Sequence, residues 1–226
     1  MLIVAHRGAS GTQPENTPAS FQKALDAGAK ALELDVHVCR SGELVVIHDE
    51  TVNRTTNGKG KIADLTLTEL QQLDAGNGEK IPTLQEVLDL VQGRAQINIE
   101  LKGKHTARPV ADLIKHNTAE NIWHTEDFLI SSFYHKELNR FHRLLPEVRI
   151  GILYSFRPFF YKAKARKLHA FSLHLSAKMI HPSRVDRIHR QGLQVWVYTV
   201  NDTQTLERIS DAGADAVFTN FPEQFI

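Results

Sequence analysis

Short apolar runs recur along the chain, with room for one amphipathic helix between most neighbouring pairs. Aliphatic and β-branched runs predict strands near 2–5, 31–38, 96–101, 127–131, 148–153, 170–175, 193–199 and 215–219. Stretches of 3.6-residue periodicity between them predict helices, among them Thr17 to Ala27, Pro109 to His116, Lys136 to Leu144, Pro182 to Gln191 and Thr203 to Ala212, the last with Asp202 as its N-cap. Strands that alternate with helices build a parallel sheet, and eight of them point to a closed (β/α)8 barrel, the TIM barrel, rather than an open sheet. Two junctions, Asp26-Ala-Gly-Ala-Lys-Ala-Leu-Glu and Asp211-Ala-Gly-Ala-Asp-Ala-Val-Phe, repeat the same order of helix end, Gly turn and next strand.

The pattern breaks between about 39 and 95. Ser41-Gly42 separates Val36-His-Val-Cys39 from Glu43-Leu-Val-Val-Ile47, which predicts that the second strand folds back on a short extra strand. Thr51 to Lys80 follows, rich in Thr, Gly and Asn and too long for a plain βα loop. The expectation is one catalytic domain over 1–226 with an insertion at about 39–82. Leaving from the second strand, that insertion covers the C-terminal mouth, where barrel enzymes gather their catalytic groups.

A chain of 226 residues suits such a barrel, and 42% apolar content excludes a disordered or fibrous protein. A net charge of +1 gives no global attraction to nucleic acid or to an anionic membrane, so anion recognition must be local. The single Cys39 cannot form an internal disulfide. No apolar run approaches ~20 residues, and the chain starts directly in a strand. These features predict a soluble cytoplasmic protein without stable membrane association, acting on a small molecule and free to form a homo-oligomer.

Candidate chemistry sits at strand ends. His6-Arg7-Gly8 follows the first strand and offers an acid/base group, a fixed cation and a residue without Cβ. Glu33 and Asp35 share one face of the second strand, with Leu32, Leu34 and Val36 on the other, so barrel closure turns both acids inward. Asn98, Glu100 and Lys102 repeat this arrangement on the next main strand. Three carboxylates suit one hard divalent cation, Mg2+ or Ca2+, whereas zinc lacks a compact Cys/His set. His48-Asp49 ends the extra strand, and His6 and His48 together could serve the two proton transfers of phosphodiester cleavage. Taken singly, either histidine fits a structural role as well as a catalytic one, and Glu33 with Asp35 fits a buried ion pair. His37 shares the acidic face and is a candidate pocket residue. Lys162 to Lys167 reads as a solvated helical face, and Met179 as packing.

His6-Arg7-Gly8, Pro14-Glu15-Asn16-Thr17, Glu33-Leu34-Asp35-Val36, His48-Asp49 and Glu100-Leu101-Lys102 stand in an order that resembles the glycerophosphodiester phosphodiesterase family. Arg54-Thr-Thr-Asn-Gly58, Ile81-Pro82-Thr83-Leu84, Ser132-Phe133 and Gly213-Ala-Asp-Ala-Val-Phe-Thr219 extend the similarity to both ends. The resemblance implies a (β/α)8 barrel with an insertion after the second strand, and metal-dependent hydrolysis of glycerophosphodiesters to sn-glycerol 3-phosphate and an alcohol. It implies Glu33, Asp35 and Glu100 as metal ligands, His6 and His48 as the acid/base pair, Arg7 and Lys102 as phosphate binders, and Glu15 as a supporting group. Family members often carry Trp before Thr-Val-Asn, where this chain has Tyr198, with Trp196 two residues earlier; either ring could wall the glycerol. Asn220 stands where Asp is frequent, a change expected to touch none of the metal or acid/base positions. Two other readings are a related phospholipase acting on lysolipids and a noncatalytic glycerophosphodiester sensor.

Overall fold

The computed structural model of the chain describes residues 1–119, 122–156 and 160–226. Its strands are β1 (Leu2–His6), β2 (Ala31–Val38), β3 (Leu44–Val46), β4 (Gln96–Leu101), β5 (Phe128–Ser132), β6 (Arg149–Tyr154), β7 (Ser172–Ser176), β8 (Gln194–Tyr198) and β9 (Ala216–Thr219). All but β3 are parallel and run in the order β1-β9-β8-β7-β6-β5-β4-β2, and β2 pairs back with β1 to close the barrel. The expected (β/α)8 architecture is therefore present, with one extra strand.

Helices α1 (Pro18–Asp26), α2 (Leu67–Gln72), α3 (Leu84–Val91), α4 (Ala107–Ala119), α5 (His135–Leu144), α6 (Tyr161–Leu168), α7 (Pro182–His189) and α8 (Thr203–Asp211) complete the chain. Their starts are set locally. Thr17 caps α1, Thr66 with Glu69 and Thr83 with Glu86 form capping boxes on α2 and α3, and the Asp202 carboxylate accepts from Thr205 N at 2.7 Å. Outward-facing Leu32, Leu34, Ile97 and Ile99 meet Phe21, Leu84, Leu88 and Phe141 in the main core. Each such side chain stabilises the fold by roughly 1.5–3 kcal/mol when fully buried.

Alternation leaves the other face of each strand inside the barrel, where Val4, Ala31, Leu129, Trp196, Ala216 and Phe218 form a separate apolar cluster. Gly151 makes room there, since a Cβ at that position would lie 2.5 Å from His174 Nε2.

The hairpin sets the position of the insertion. β1 pairs with β2 only as far as His6 opposite Glu33, and β3 then takes β2 antiparallel, with Val46 opposite Val36 and Leu44 opposite Val38. The returning chain bonds Ile47 N to Asp35 O at 3.0 Å, so His48 arrives just above the end of β1. Beyond it, Val52, Ile62, Leu70 and Ile81 pack with Val45 and Ile47 in a small core of their own. Thr51 and Lys61 bridge across this segment.

Candidate active site

The acids of β2 and β4 come together because the strands pair in register. Glu33 stands opposite both His6 and Asn98, and Asp35 opposite Glu100. Glu33, Asp35 and Glu100 are buried, and each offers an oxygen within 4.8 Å of the others. Burial, and then the charges of Asp35 and Glu100, hold the Glu33 carboxyl well above its ordinary pKa; burial and Asp35 push Glu100 up to about 7. Such a cluster is costly without a cation. Asp35 Oδ1 and Asn98 Oδ1 are buried acceptors without hydrogen-bond partners. Three clustered carboxylates, one of them with an unfilled oxygen, fit a hard divalent ion.

Arg7 and Lys102 flank the acids. Arg7 sits at φ 57°, and its backbone N–H donates to Glu33 Oε2 at 3.0 Å while its guanidinium lies 3.2 Å from Asp35 and 3.0 Å from Glu15. Lys102 Nζ is 3.1 Å from Glu100, 4.0 Å from Asp35 Oδ1 and 3.0 Å from His48 Nε2. Asn16, at φ 59° and buried, donates from Nδ2 to Asp35 Oδ2 at 3.0 Å.

The two predicted histidines face this cluster from different supports. His6 Nδ1 lies 2.7 Å from Asn220 Oδ1, an acceptor, so Nδ1 carries the proton and the Nε2 lone pair is left 3.9 Å from Glu33. Burial, and then the Arg7 charge, pull the His6 pKa down to about 4. His48 Nδ1 lies 2.6 Å from Asp49 Oδ1. Arg54 clamps Asp49 at 2.8 and 3.0 Å and Glu15 at 2.9 and 2.8 Å. Hydrogen bonds from Arg54 outweigh burial and hold Asp49 well below the usual carboxylate range. Glu15 is lowered too, because Arg54 and Arg7 outweigh its burial.

The opposite wall of the cavity, which has a volume of about 150 Å³, is apolar, with Phe133, Leu153, Tyr198 and Phe218. Tyr198 presents its ring, since its hydroxyl donates to Tyr154 O at 2.9 Å. The ring packs edge-on against Phe133, which lies 5.8 Å below Lys102 Nζ.

Several expectations need correction. Trp196 does not line the cavity; it is buried one layer lower, stacked on His174 at 5.1 Å, with its Nε1–H donating to Gln194. Asn220 does touch an acid/base position, His6. His37 supports His48 from outside the cavity, its Nε2 lying 3.2 Å from His48 O. Gly8 needs no correction and also makes room for α1: at φ +75°, a Cβ there would lie 2.5 Å from the Ser20 backbone. Asn16, Arg54 and Asn220 were unassigned, although Asn16 adjoins Glu15 and Arg54 opens the quoted Arg54-to-Gly58 run.

Fixed positive charge beside an acidic cluster, with an imidazole on each side, suits a phosphate whose two ester oxygens need protons moved. Fold and site together define a barrel phosphodiesterase. The chain belongs to the glycerophosphoryl diester phosphodiesterase family, whose model matches residues 6–224. It is 40% identical to the glycerophosphodiester phosphodiesterase of Caldanaerobacter subterraneus subsp. tengcongensis, over 100% of this chain and 96% of that one. An Oleispira antarctica phosphodiesterase, solved in complex with the product sn-glycerol-3-phosphate, superposes with a TM-score of 0.90 at 32% identity, covering 99% of this chain and 94% of that one. A human lysophospholipase D is 28% identical over 97% of this chain and 83% of its own length. Among the described residues, no helix is long and apolar enough to cross a membrane.

Proposed function

We propose that this phosphodiesterase hydrolyses small glycerophosphodiesters to sn-glycerol 3-phosphate and an alcohol, with a divalent cation held by Glu33, Asp35 and Glu100 and with His6 and His48 moving the protons. The observation that carries the reading is the meeting of the buried acidic triad with both imidazoles and with Arg7 and Lys102 at one cavity. Mg2+ or Ca2+ held there supplies Lewis-acid polarisation of the phosphoryl oxygens.

The chain's own groups divide the remaining work. Arg7 and Lys102 bind and orient the nonbridging oxygens and offset charge as phosphorus becomes five-coordinate. His6, kept neutral and with Nε2 unprotonated, takes the proton of the attacking group, which is water or the neighbouring glycerol hydroxyl; in the second route water then opens the cyclic phosphate with the two proton transfers reversed. His48, oriented through Nδ1 by the Asp49 carboxylate, passes a proton to the departing alkoxide. One P–O bond forms and one breaks, as one proton arrives at His6 and one leaves His48. Glu15 holds Arg7 and Arg54 in place, Tyr198 and Phe133 wall the carbon skeleton, and residues 39–82 close one side of the site within a single catalytic domain.

A product-resolved assay tests this. Glycerophosphocholine and glycerophosphoethanolamine are offered to chelated protein and to protein resupplied with Mg2+, Ca2+ or Mn2+, with lysophosphatidylcholine as a parallel substrate. Release of sn-glycerol 3-phosphate and free alcohol is expected only after resupply. Full activity after exhaustive chelation would rule out the cation, and faster turnover of the lysolipid would favour the phospholipase reading.

A further inference from the structure

The catalytic cavity, at about 150 Å³, is smaller than the ~300–1,000 Å³ of typical ligand sites, so part of a diester must lie outside it. A second cleft, of about 480 Å³, opens next to it between the insertion and the β4–α4 connection. Lys102 lines both spaces, and the consecutive Phe133 and Tyr134 face one each. His37, in the wall of the cleft, is the residue that bonds the backbone of His48. The cleft therefore begins where the proposed proton donor meets the departing alcohol.

Its lining is cationic. Arg40, Lys61, Lys102, Lys104 and His105 face it, against Glu50 as the one acid among the described lining residues. Arg40 is paired with Glu69 at 2.9 Å and Lys102 with Glu100, but Lys61 and Lys104 make no ion pair among the described residues. Among the described lining residues Tyr134 is the only aromatic ring besides the two histidines, so they form no aromatic cage. The described lining thus favours an anion over a quaternary ammonium.

On the reading of the active site given above, we infer that this cleft is the subsite for the alcohol half of the substrate and selects alcohols that carry a further phosphate or carboxylate. Lys61 and Lys104 are the determinants of that choice, from opposite sides of the cleft. Neither belongs to the catalytic machinery, so their loss spares turnover of uncharged alcohols.

Glycerophosphoinositol and glycerophosphoinositol 4-phosphate differ by one phosphate and make the comparison direct. At low ionic strength the phosphorylated substrate is expected to have about 30-fold higher kcat/KM, two solvent-screened charge contacts being worth ~1 kcal/mol each at close range. The gain should sit in KM and shrink as added KCl shortens the screening length. Lys61→Ala with Lys104→Ala should remove most of it and leave glycerophosphoinositol turnover unchanged, and Lys61→Glu with Lys104→Glu should invert it. Equal kcat/KM for the two substrates in the unaltered protein, or a preference that survives charge reversal, overturns the inference. Failure to cleave either substrate after cation resupply overturns instead the active-site reading on which it rests.

Discussion

The two ends of the catalytic cavity each present an imidazole, but they support it with opposite chemistry. At the β1 end, His6 is half-buried and leans on a neutral amide, Asn220. At the insertion end, His48 leans on the Asp49 carboxylate, itself fixed by Arg54. Both partners fix the orientation of the ring, but one is a neutral amide and the other a carboxylate held by an arginine. The difference is the structural basis of the proposed division of roles, a base at the His6 end and an acid at the His48 end.

The largest expected effects come from removing either ring. His6→Ala and His48→Ala should each lower kcat by roughly 10²–10⁴-fold. The two are separated by a substrate with a p-nitrophenyl leaving group, which departs without a proton. Its turnover should largely recover in the His48 variant and stay low in the His6 variant; recovery in both, or in neither, breaks the division of roles.

Exchanging the supports is a smaller perturbation. Asp49→Asn should cost roughly 10–10²-fold, the range typical of groups that orient an imidazole. Asn220→Asp places a carboxylate beside His6 and should raise its pKa from about 4 by roughly a unit or more. A base with a raised pKa is protonated to higher pH, so the acid limb of kcat/KM moves toward neutrality. An unmoved limb would mean that Asn220 only fills space.

These partners also mark where the sequence stops being legible. Alternation along single strands is enough to place Glu33, Asp35, Glu100 and Lys102 on one inner face, and strand–helix alternation is enough for the barrel. Asn220 lies 214 residues from His6, and only barrel closure through β9 and β1 makes them neighbours. Trp196 and Tyr198 share a face, but a separation of roughly 6.5 Å along the strand puts one in the floor and the other in the wall. Depth in a barrel depends on the stagger of its strands, which no local pattern reports. Arg54 is similar: its motif was visible, yet its bridge between Glu15 and Asp49 needs the fold of the insertion.

The smallest expected effect concerns a third imidazole in the same cavity and tests whether a depressed pKa alone marks a base. His174 is fully buried between Ser172, whose hydroxyl lies 2.9 Å from its Nε2, and the Trp196 ring. Burial lowers its pKa from 6.5 to about 3. Because the unfolded chain takes up this proton as pH falls through 6.5 and the folded chain does not until about 3, the group's contribution to stability is lost between those values as pH falls. The loss amounts to about 1.4 kcal/mol per pH unit. In His174→Gln that component is absent, so denaturant unfolding at pH 7 and pH 5.5 should show the variant losing about 1.3 kcal/mol less than the parent. Its turnover should fall less than tenfold, in contrast to His6→Ala. Equal losses of stability would show that His174 is not held neutral, and a catalytic defect matching that of His6→Ala would show that the cavity has a third working imidazole.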